Sequence, residues 1–237
     1  MTSPIRCSAI VMDVEGTTSA ARFVYDVLFP YARERMAPWI DEHPDDPTTA
    51  AAVAEVAQGL GVSPADTSAV VAQLTAWLDA DVKAPPLKAL QGMVWAQGYA
   101  SGELTAHFFA DVEPALRAWQ AQGILLAVYS SGSVAAQRSL FAHTAHGDLT
   151  GLIGANFDLA SGGAKREPDS YRRIAAHLGV EPGEVLFLSD IEDELAAARA
   201  AGWQAVGVLR PGEQQATASP IGAVSTFAEL AVTPSGR

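Results

Sequence analysis

Two carboxylates stand at i and i+2 in Asp13-Val14-Glu15-Gly16-Thr17-Thr18, directly after the apolar run Cys7–Met12. Acids leaving a buried strand are costly unless paired, hydrogen-bonded or bound to a cation, and Gly16 permits a sharp turn behind them. Hard oxygen donors of this kind suit Mg²⁺, which one or two carboxylates hold while water or substrate phosphate fills its other positions. The plainer alternative makes Asp13 a helix cap and Glu15 a solvated acid. A second apolar run leads into Ser130-Ser131-Gly132-Ser133. Exposed N–H groups and hydroxyls at a helix start can bind an anion, and an ordinary N-cap explains the same residues. Lys165 follows the flexible Gly162-Gly163-Ala164; alone it reads as one more solvated lysine. A third run ends in Ser189-Asp190-Ile191-Glu192-Asp193-Glu194, with four acids between positions 190 and 194. That is more than a helix dipole asks for. Glu192 and Asp193 fit a solvated first turn, whereas Asp190 at the strand edge can converge with Asp13 on one cation. In chain order these sites supply a nucleophile, phosphate donors, a charge stabiliser and a metal ligand. Phosphoryl transfer to a carboxylate needs that set, because its catalysis is mostly positioning and neutralisation of charge.

The elements that must carry these residues are legible as short apolar runs: Cys7–Met12, Ile124–Tyr129, Val185–Leu188 and Ala205–Leu209. Each has the length of a buried parallel strand. Helical patterns lie between them at Val112–Gln122, Val134–His143 and Ser170–Leu178, the last placing Tyr171, Ile174 and Leu178 on one stripe. The alternation predicts an α/β fold, a doubly wound parallel sheet with helices on both faces, whose ligands bind beyond the carboxyl ends of the strands. Residues 20–109 break the alternation. Phe23, Val24, Val27, Leu28 and Tyr31 form a stripe, His43–Thr48 reads as a loop, and Ala50–Leu60 and Pro64–Leu78 read as helices. An inserted all-helical domain over 20–109 is therefore expected, with the core formed by 1–19 and 110–237, and an insertion beside a strand-end site is placed to act as a lid. Pro211–Pro220 is turn-rich, and the AVSTFAEL segment after it suits a last strand or a helical turn.

Composition limits the partners. The 237 residues carry 15 Lys+Arg against 27 Asp+Glu, a formal charge of −12, which argues against nucleic acid. Hydrophobic residues at 49% and charged residues at 18% supply a core rather than a disordered chain. The single cysteine, Cys7, cannot form an internal disulfide and sits in an apolar run, as suits a buried thiol in a cytoplasmic protein. Asp13 and Glu15 interrupt the first apolar stretch, so neither a signal peptide nor a membrane span is expected.

The order of sites resembles that of the haloacid dehalogenase superfamily of phosphatases, with an Asp nucleophile in a DxDxT-like motif, a later Ser/Thr, a Lys and a final acidic motif. Glu15 stands where most of those phosphatases have a second Asp. With FVYDVLFPYA (Phe23–Ala32), VYSSGS (Val128–Ser133), GAKREPDSY (Gly163–Tyr171) and FLSDIEDEL (Phe187–Leu195), the chain resembles the bifunctional enolase-phosphatases of methionine salvage over about Ile10 to Ala200. Ala20-Ala21-Arg22 is less typical of them than its flanks.

The resemblance implies a Rossmann-like haloacid dehalogenase core with a helical cap, one Mg²⁺ per subunit and a monomer. The implied substrate is 2,3-diketo-5-methylthiopentyl 1-phosphate, which is first enolised and then dephosphorylated to an acireductone. Asp13 is then the nucleophile and a metal ligand, and Asp190 is the other side-chain ligand. Glu15 gives the metal a backbone carbonyl and its side chain acid/base chemistry. Ser130 and Ser131 hold phosphate or carbonyl oxygens, and Lys165 neutralises the phosphoryl group and the nucleophile. Two rivals remain at this stage, a phosphatase of the same superfamily without the enolase step and a catalytically silent phosphate-binding module. A dinucleotide-binding enzyme is disfavoured, because the first strand leads into DVEGTT and not a GxGxxG turn.

Overall fold

The computed structural model describes residues 4–213 and 222–236. Most of the turn-rich stretch expected at Pro211–Pro220 lies outside them. The chain divides into two units, one formed by residues up to 22 together with those from 105 onward, the other by 23–104. These junctions fall a few residues from the expected 19/20 and 109/110. At the second junction the chain has already rejoined the first unit before position 110: Ala106 N–H donates to His143 O at 2.8 Å and Phe109 N–H to Thr18 O at 3.1 Å.

The first unit is built on a six-stranded parallel sheet. Its strands are β2 (Ala9–Met12), β3 (Leu125–Tyr129), β4 (Ala155–Phe157), β5 (Val185–Ser189), β6 (Gln204–Val208) and β7 (Ala223–Val224), in the order β4-β3-β2-β5-β6-β7. A separate parallel pair joins β1 (Ile5–Cys7) to β8 (Val232–Pro234). The expected first strand is thus two strands parted at Ser8, whose hydroxyl donates to Glu184 at 2.7 Å. The AVSTFAEL segment supplies both β7 and a helical turn over Phe227–Glu229. Central strands are buried on both faces, which is why they read as unbroken apolar runs. Ala9, Val11, Ala127, Val185, Phe187 and Ala205 pack on one side with Tyr171 and Ile174 of α8 (Pro168–Leu178) and Leu195 and Ala198 of α9 (Glu192–Ala200). Ile10, Met12, Leu126, Val128, Leu186 and Leu188 are equally buried. Each such side chain contributes about 1.5–3 kcal/mol.

Register decides what the strand ends can do. Met12 stands opposite Val128 of β3 and Leu188 of β5, so the residues that follow leave the same edge of the sheet side by side. The sheet order also reverses about β2, the topological switch point of an open α/β sheet.

The second unit is all helical, with α2 (Phe29–Glu42), α3 (Pro47–Leu60), α4 (Thr67–Asp79) and α5 (Pro85–Ser101). Its helix starts are chemically marked: Asp46 accepts the Thr49 N–H at 2.8 Å ahead of Pro47, and Asp66 accepts the Ala69 N–H at 3.2 Å. Ala32, Met36, Ile40, Val53, Val56, Val70, Leu74, Leu90 and Val94 fill its core. The stripe expected from Phe23 to Tyr31 is corrected in one place. A short helix α1 (Ala21–Phe23) runs into a π-wound turn over Val24–Leu28, where Phe29 N–H reaches Val24 O five residues back. Wider winding buries Phe23 and Leu28 at a spacing of five and turns Val27 outward to 39% exposure. Among the described residues no helix is long and apolar enough to cross a membrane.

Candidate active site

Asp13 follows β2 and is 5% exposed. It caps no helix. Its Oδ1 accepts its neighbour Val14 N–H at 2.8 Å and meets Lys165 Nζ at 2.6 Å. The turn behind it is tight: Thr17, Thr18 and Ser19 all direct their N–H groups to Val14 O, and Gly16 N–H closes onto Ser19 O at 2.8 Å. Gly16 has φ +75°, and a Cβ there would stand 2.3 Å from Asp190 Oδ2. A glycine is required both by the left-handed backbone and by the carboxylate pressed against it. Glu15 lies on this turn, half-buried, with its backbone bridged to Ser19.

Asp190, one residue past β5, is also 5% exposed. Thr17 holds it twice: the Thr17 hydroxyl donates to Asp190 Oδ1 at 3.1 Å and accepts the Asp190 N–H at 3.0 Å. Asp190 does not cap α9, whose first turn has no side-chain cap. Glu192 pairs with Arg199 at 3.1 Å and Asp193 with Arg166 at 3.5 Å, the latter pair well exposed. Glu194 departs from that surface pattern. It is 8% exposed, meets Lys165 Nζ at 2.7 Å and accepts the Ser189 hydroxyl at 2.9 Å.

Lys165 reaches this cluster because its loop is pinned to the aromatic core. The Tyr171 hydroxyl donates to Lys165 O at 2.7 Å and the Tyr129 hydroxyl to Gly163 O at 2.8 Å. Tyr171 in turn stacks edge-on against Tyr129, Phe187 and Trp203. A Cβ on Gly162 would stand 2.7 Å from the Tyr129 ring, so the loop can lie this close only without a side chain there.

The serines lie on the neighbouring strand end. Ser130 follows β3 and is buried, its N–H donating to Phe157 O and its hydroxyl accepting the Gly132 N–H at 3.2 Å. Ser131 is half-buried beside it. Ser133 is the N-cap of α7 (Val134–Ala142), accepting the Ala136 N–H at 3.2 Å.

Asp13 and Glu194 thus share one buried cation, Lys165, and Asp190 is held beside them by Thr17. Burial first, and the charge of Asp13 second, push the carboxyls of both Asp190 and Glu194 up to about 7. For Lys165, burial alone works to lower the pKa, but Asp13 and Glu194 beside it raise it above the usual lysine value, so the ammonium is fixed as a cation. Acids that crowd each other in this way have room for a further positive charge. Among the described residues no group of three or more His, Cys, Asp and Glu side chains forms a metal cage. Two carboxylates with main-chain and solvent or substrate oxygens suit Mg²⁺ better than a metal that demands soft or nitrogen ligands.

Glu194, Thr17 and Tyr129 carry no signal of their own in the residue pattern, and Tyr171 reads there only as part of an apolar helical stripe. Glu194 was detectable only by placing the start of α9 correctly, since it then falls with the buried Leu195, Ala197 and Ala198.

Parallel topology, a switch point at β2 and, beyond it, Lys165 paired with Asp13 and Glu194 next to Asp190 are the features to set beside known proteins. The family model of haloacid dehalogenase-like hydrolases matches residues 7–202, and the chain belongs to that family. Within it, the chain belongs with the enolase-phosphatases. It is 54% identical over 222 residues to Enolase-phosphatase E1 of Frankia alni, covering 94% of each chain. It is 50% identical over 204 residues to Enolase-phosphatase E1 of Pseudomonas aeruginosa, covering 86% of this chain and 90% of that one. Among solved structures, the UTR4 protein of Saccharomyces cerevisiae aligns with a TM-score of 0.75 and 32% identity, over 93% of this chain and 97% of that one. CbbY of Rhodobacter sphaeroides, solved in complex with phosphate, shares the fold with a TM-score of 0.58 at 19% identity, over 94% of this chain and 96% of that one.

Proposed function

We propose that the chain is a Mg²⁺-dependent enolase-phosphatase of methionine salvage, which enolises 2,3-diketo-5-methylthiopentyl 1-phosphate and then removes its phosphate to give the acireductone. The observation that carries this reading is the buried Asp13–Lys165–Glu194 cluster with Asp190 held beside it by Thr17. The enzyme works as a monomer in the cytoplasm.

Asp13 and Asp190, with the Glu15 carbonyl, would hold the cation, which when bound supplies positive charge to the phosphoryl and enolate oxygens. The remaining steps belong to the chain's own residues. The Glu15 carboxylate takes the proton from the carbon bearing the phosphate ester, and its extra methylene relative to Asp gives it the reach to do so. Asp13 Oδ1 is engaged by Lys165 and Val14, and Oδ2 is the oxygen that attacks phosphorus, forming an aspartyl phosphate as the P–O bond to the ester oxygen breaks and that oxygen leaves with the enol, taking up the proton Glu15 removed. Water then cleaves the aspartyl phosphate and restores the carboxylate. Lys165, held cationic by its two acid partners, steadies the attacking carboxylate and the phosphoryl oxygens throughout. Ser130 and Ser131 present hydroxyl and N–H donors to the phosphate from the neighbouring strand end.

The test is turnover of the diketone phosphate with and without Mg²⁺, following enol absorbance and phosphate release separately. Asp13→Asn is expected to lose phosphate release by about 10⁴-fold or more while still forming the enol, because the nucleophile serves only the second step. Glu15→Gln loses both signals. Full phosphate release by Asp13→Asn overturns the covalent route. Phosphate release from unrelated esters without any enol signal from the diketone assigns the chain to a phosphatase without enolase activity.

A further inference from the structure

A buried arginine stands directly behind the acidic turn. Arg210, two residues past β6, is 2% exposed. Its Nη1 donates to both oxygens of Asp111 at 2.7 and 2.8 Å and to Ser225 O at 3.2 Å. The guanidinium lies over the rings of Phe109 and Phe227, 4.4 and 4.7 Å from their centroids. Asp111 Oδ2 also accepts the Phe227 N–H at 2.6 Å. These contacts would make Arg210 a staple between three segments, yet a buried ion pair adds little stability that apolar residues of the same volume would not. Its Nη2 is buried with no hydrogen-bond partner among the described residues, which also argues against a side chain chosen for stability.

The remaining contact goes elsewhere. Arg210 Nε donates to Thr17 O at 2.9 Å. Thr17 N–H is held by Val14 O, and the Thr17 hydroxyl both donates to Asp190 Oδ1 and accepts the Asp190 N–H. Thr17 therefore has its carbonyl fixed by Arg210 and its side chain committed to Asp190. A planar guanidinium can serve two partners in fixed directions, Asp111 through Nη1 and Thr17 through Nε, as a lysine ammonium cannot.

We propose that Arg210 is a positioning residue for the cation site: by holding the Thr17 carbonyl it sets the orientation of the Thr17 hydroxyl and, through it, presets the Asp190 carboxylate. The proposal rests on the assignment of Asp13 and Asp190 as the cation ligands. It predicts that the Arg210 contact acts on Mg²⁺ affinity more than on turnover at saturating Mg²⁺.

The experiment titrates Mg²⁺ on the full chain and takes the concentration that half-saturates its site from the logarithmic dependence of the thermal midpoint on Mg²⁺, with phosphate release as a parallel readout. In Arg210→Lys the half-saturating Mg²⁺ is expected to rise about tenfold or more, the usual effect of losing a group that orients a ligand. Thr17→Val should raise it too, and the double variant should be no worse than the more affected single, because both act through one path. The core variant Ile124→Val, at a 2% exposed position away from this path, should lower the midpoint without moving the Mg²⁺ requirement. A folded Arg210→Lys with the parent's half-saturation overturns the proposal, as do effects that multiply in the double variant or an equal rise in Ile124→Val. If Arg210→Lys does not fold, Asp111→Asn, which keeps the guanidinium but loosens its anchor, must raise the requirement several-fold, and an unchanged value overturns the proposal. A parent chain with no Mg²⁺-dependent midpoint at all overturns the cation site itself, and the proposal with it.

Discussion

The two units bury different things. Among the described residues the helical unit buries the polar Thr49 and Gln91, and its ion pairs Arg33–Asp79, Arg35–Glu34, Arg35–Glu103 and Lys83–Asp81 are exposed at the surface. Thr49 is satisfied by a hydrogen bond from Trp39 Nε1 at 3.0 Å. The α/β unit buries Asp13, Lys165, Asp190, Glu194 and Arg210: Asp13 and Asp190 just beyond the ends of two neighbouring strands, Lys165 in the loop ahead of α8 and Glu194 in the first turn of α9. Both units draw stability from apolar contacts, so the difference is not one of folding requirement. Charges taken out of water cost more than their mutual attraction returns unless geometry is exact and complete, so a cluster that persists is retained for chemistry.

The contrast is broken most forcefully at Lys165. Lys165→Met leaves Asp13 and Glu194 facing each other without their shared cation, and we expect a loss of about 3–5 kcal/mol of stability at pH 8, read from urea unfolding without metal. Phosphate release should fall on the order of 10²–10³-fold, the scale for removing one charge-stabilising donor. A loss under about 1 kcal/mol would show that the α/β unit treats its buried charges as the helical unit treats its surface ones.

A smaller effect is expected from pH. In the metal-free parent, Asp190 and Glu194 have carboxyls raised to about 7 by burial and by Asp13, above the unfolded value near 4. Between those values the folded chain binds more protons than the unfolded one, so stability is present at low pH and is lost as pH rises through about 7. The thermal midpoint without metal should therefore fall by several degrees between about pH 5 and pH 8, most of it below the titration near 7, and Mg²⁺ should remove most of the fall. A midpoint flat over this range, or rising, breaks the picture of crowded acids awaiting a cation.

How much of this was legible in the sequence follows from the range of each contact. Asp13, Ser130 and Asp190 were visible because apolar runs end abruptly in polar clusters, and sheet register then sets their ends side by side. Lys165 had no local signal of its own and stood on the order of motifs. Glu194 was hidden in an acidic run whose members separate only by helix phase. Arg210 also follows an apolar run, but its partner Asp111 is 99 residues away, and no periodicity reports such a pair. The strands β4, β7 and β8, of three, two and three residues, are too short to show alternation, and the π-wound turn defeated a stripe drawn at ordinary helical spacing.

The smallest expected effect tests the other side of the contrast. Arg35 pairs with Glu103 at 2.8 Å and with Glu34 at 3.3 Å, and its guanidinium lies 3.8 Å from the centroid of the Tyr31 ring, one helical turn back. The Tyr31 hydroxyl donates to the same Glu103 at 3.1 Å, closing a three-residue network between α2 and the residues after α5. By contact number this is as rich as the Lys165 cluster. It differs in exposure: the Arg35 side chain is 38% accessible and Glu103 52%, so water and salt screen the attraction. Arg35→Ala should cost no more than about 1 kcal/mol, most of it from the ring contact, and that cost should change little between low and high salt. Phosphate release at saturating substrate should stay at the parent value. A cost near that of Lys165→Met would mean that network geometry, and not burial, decides what a charge is worth in this protein.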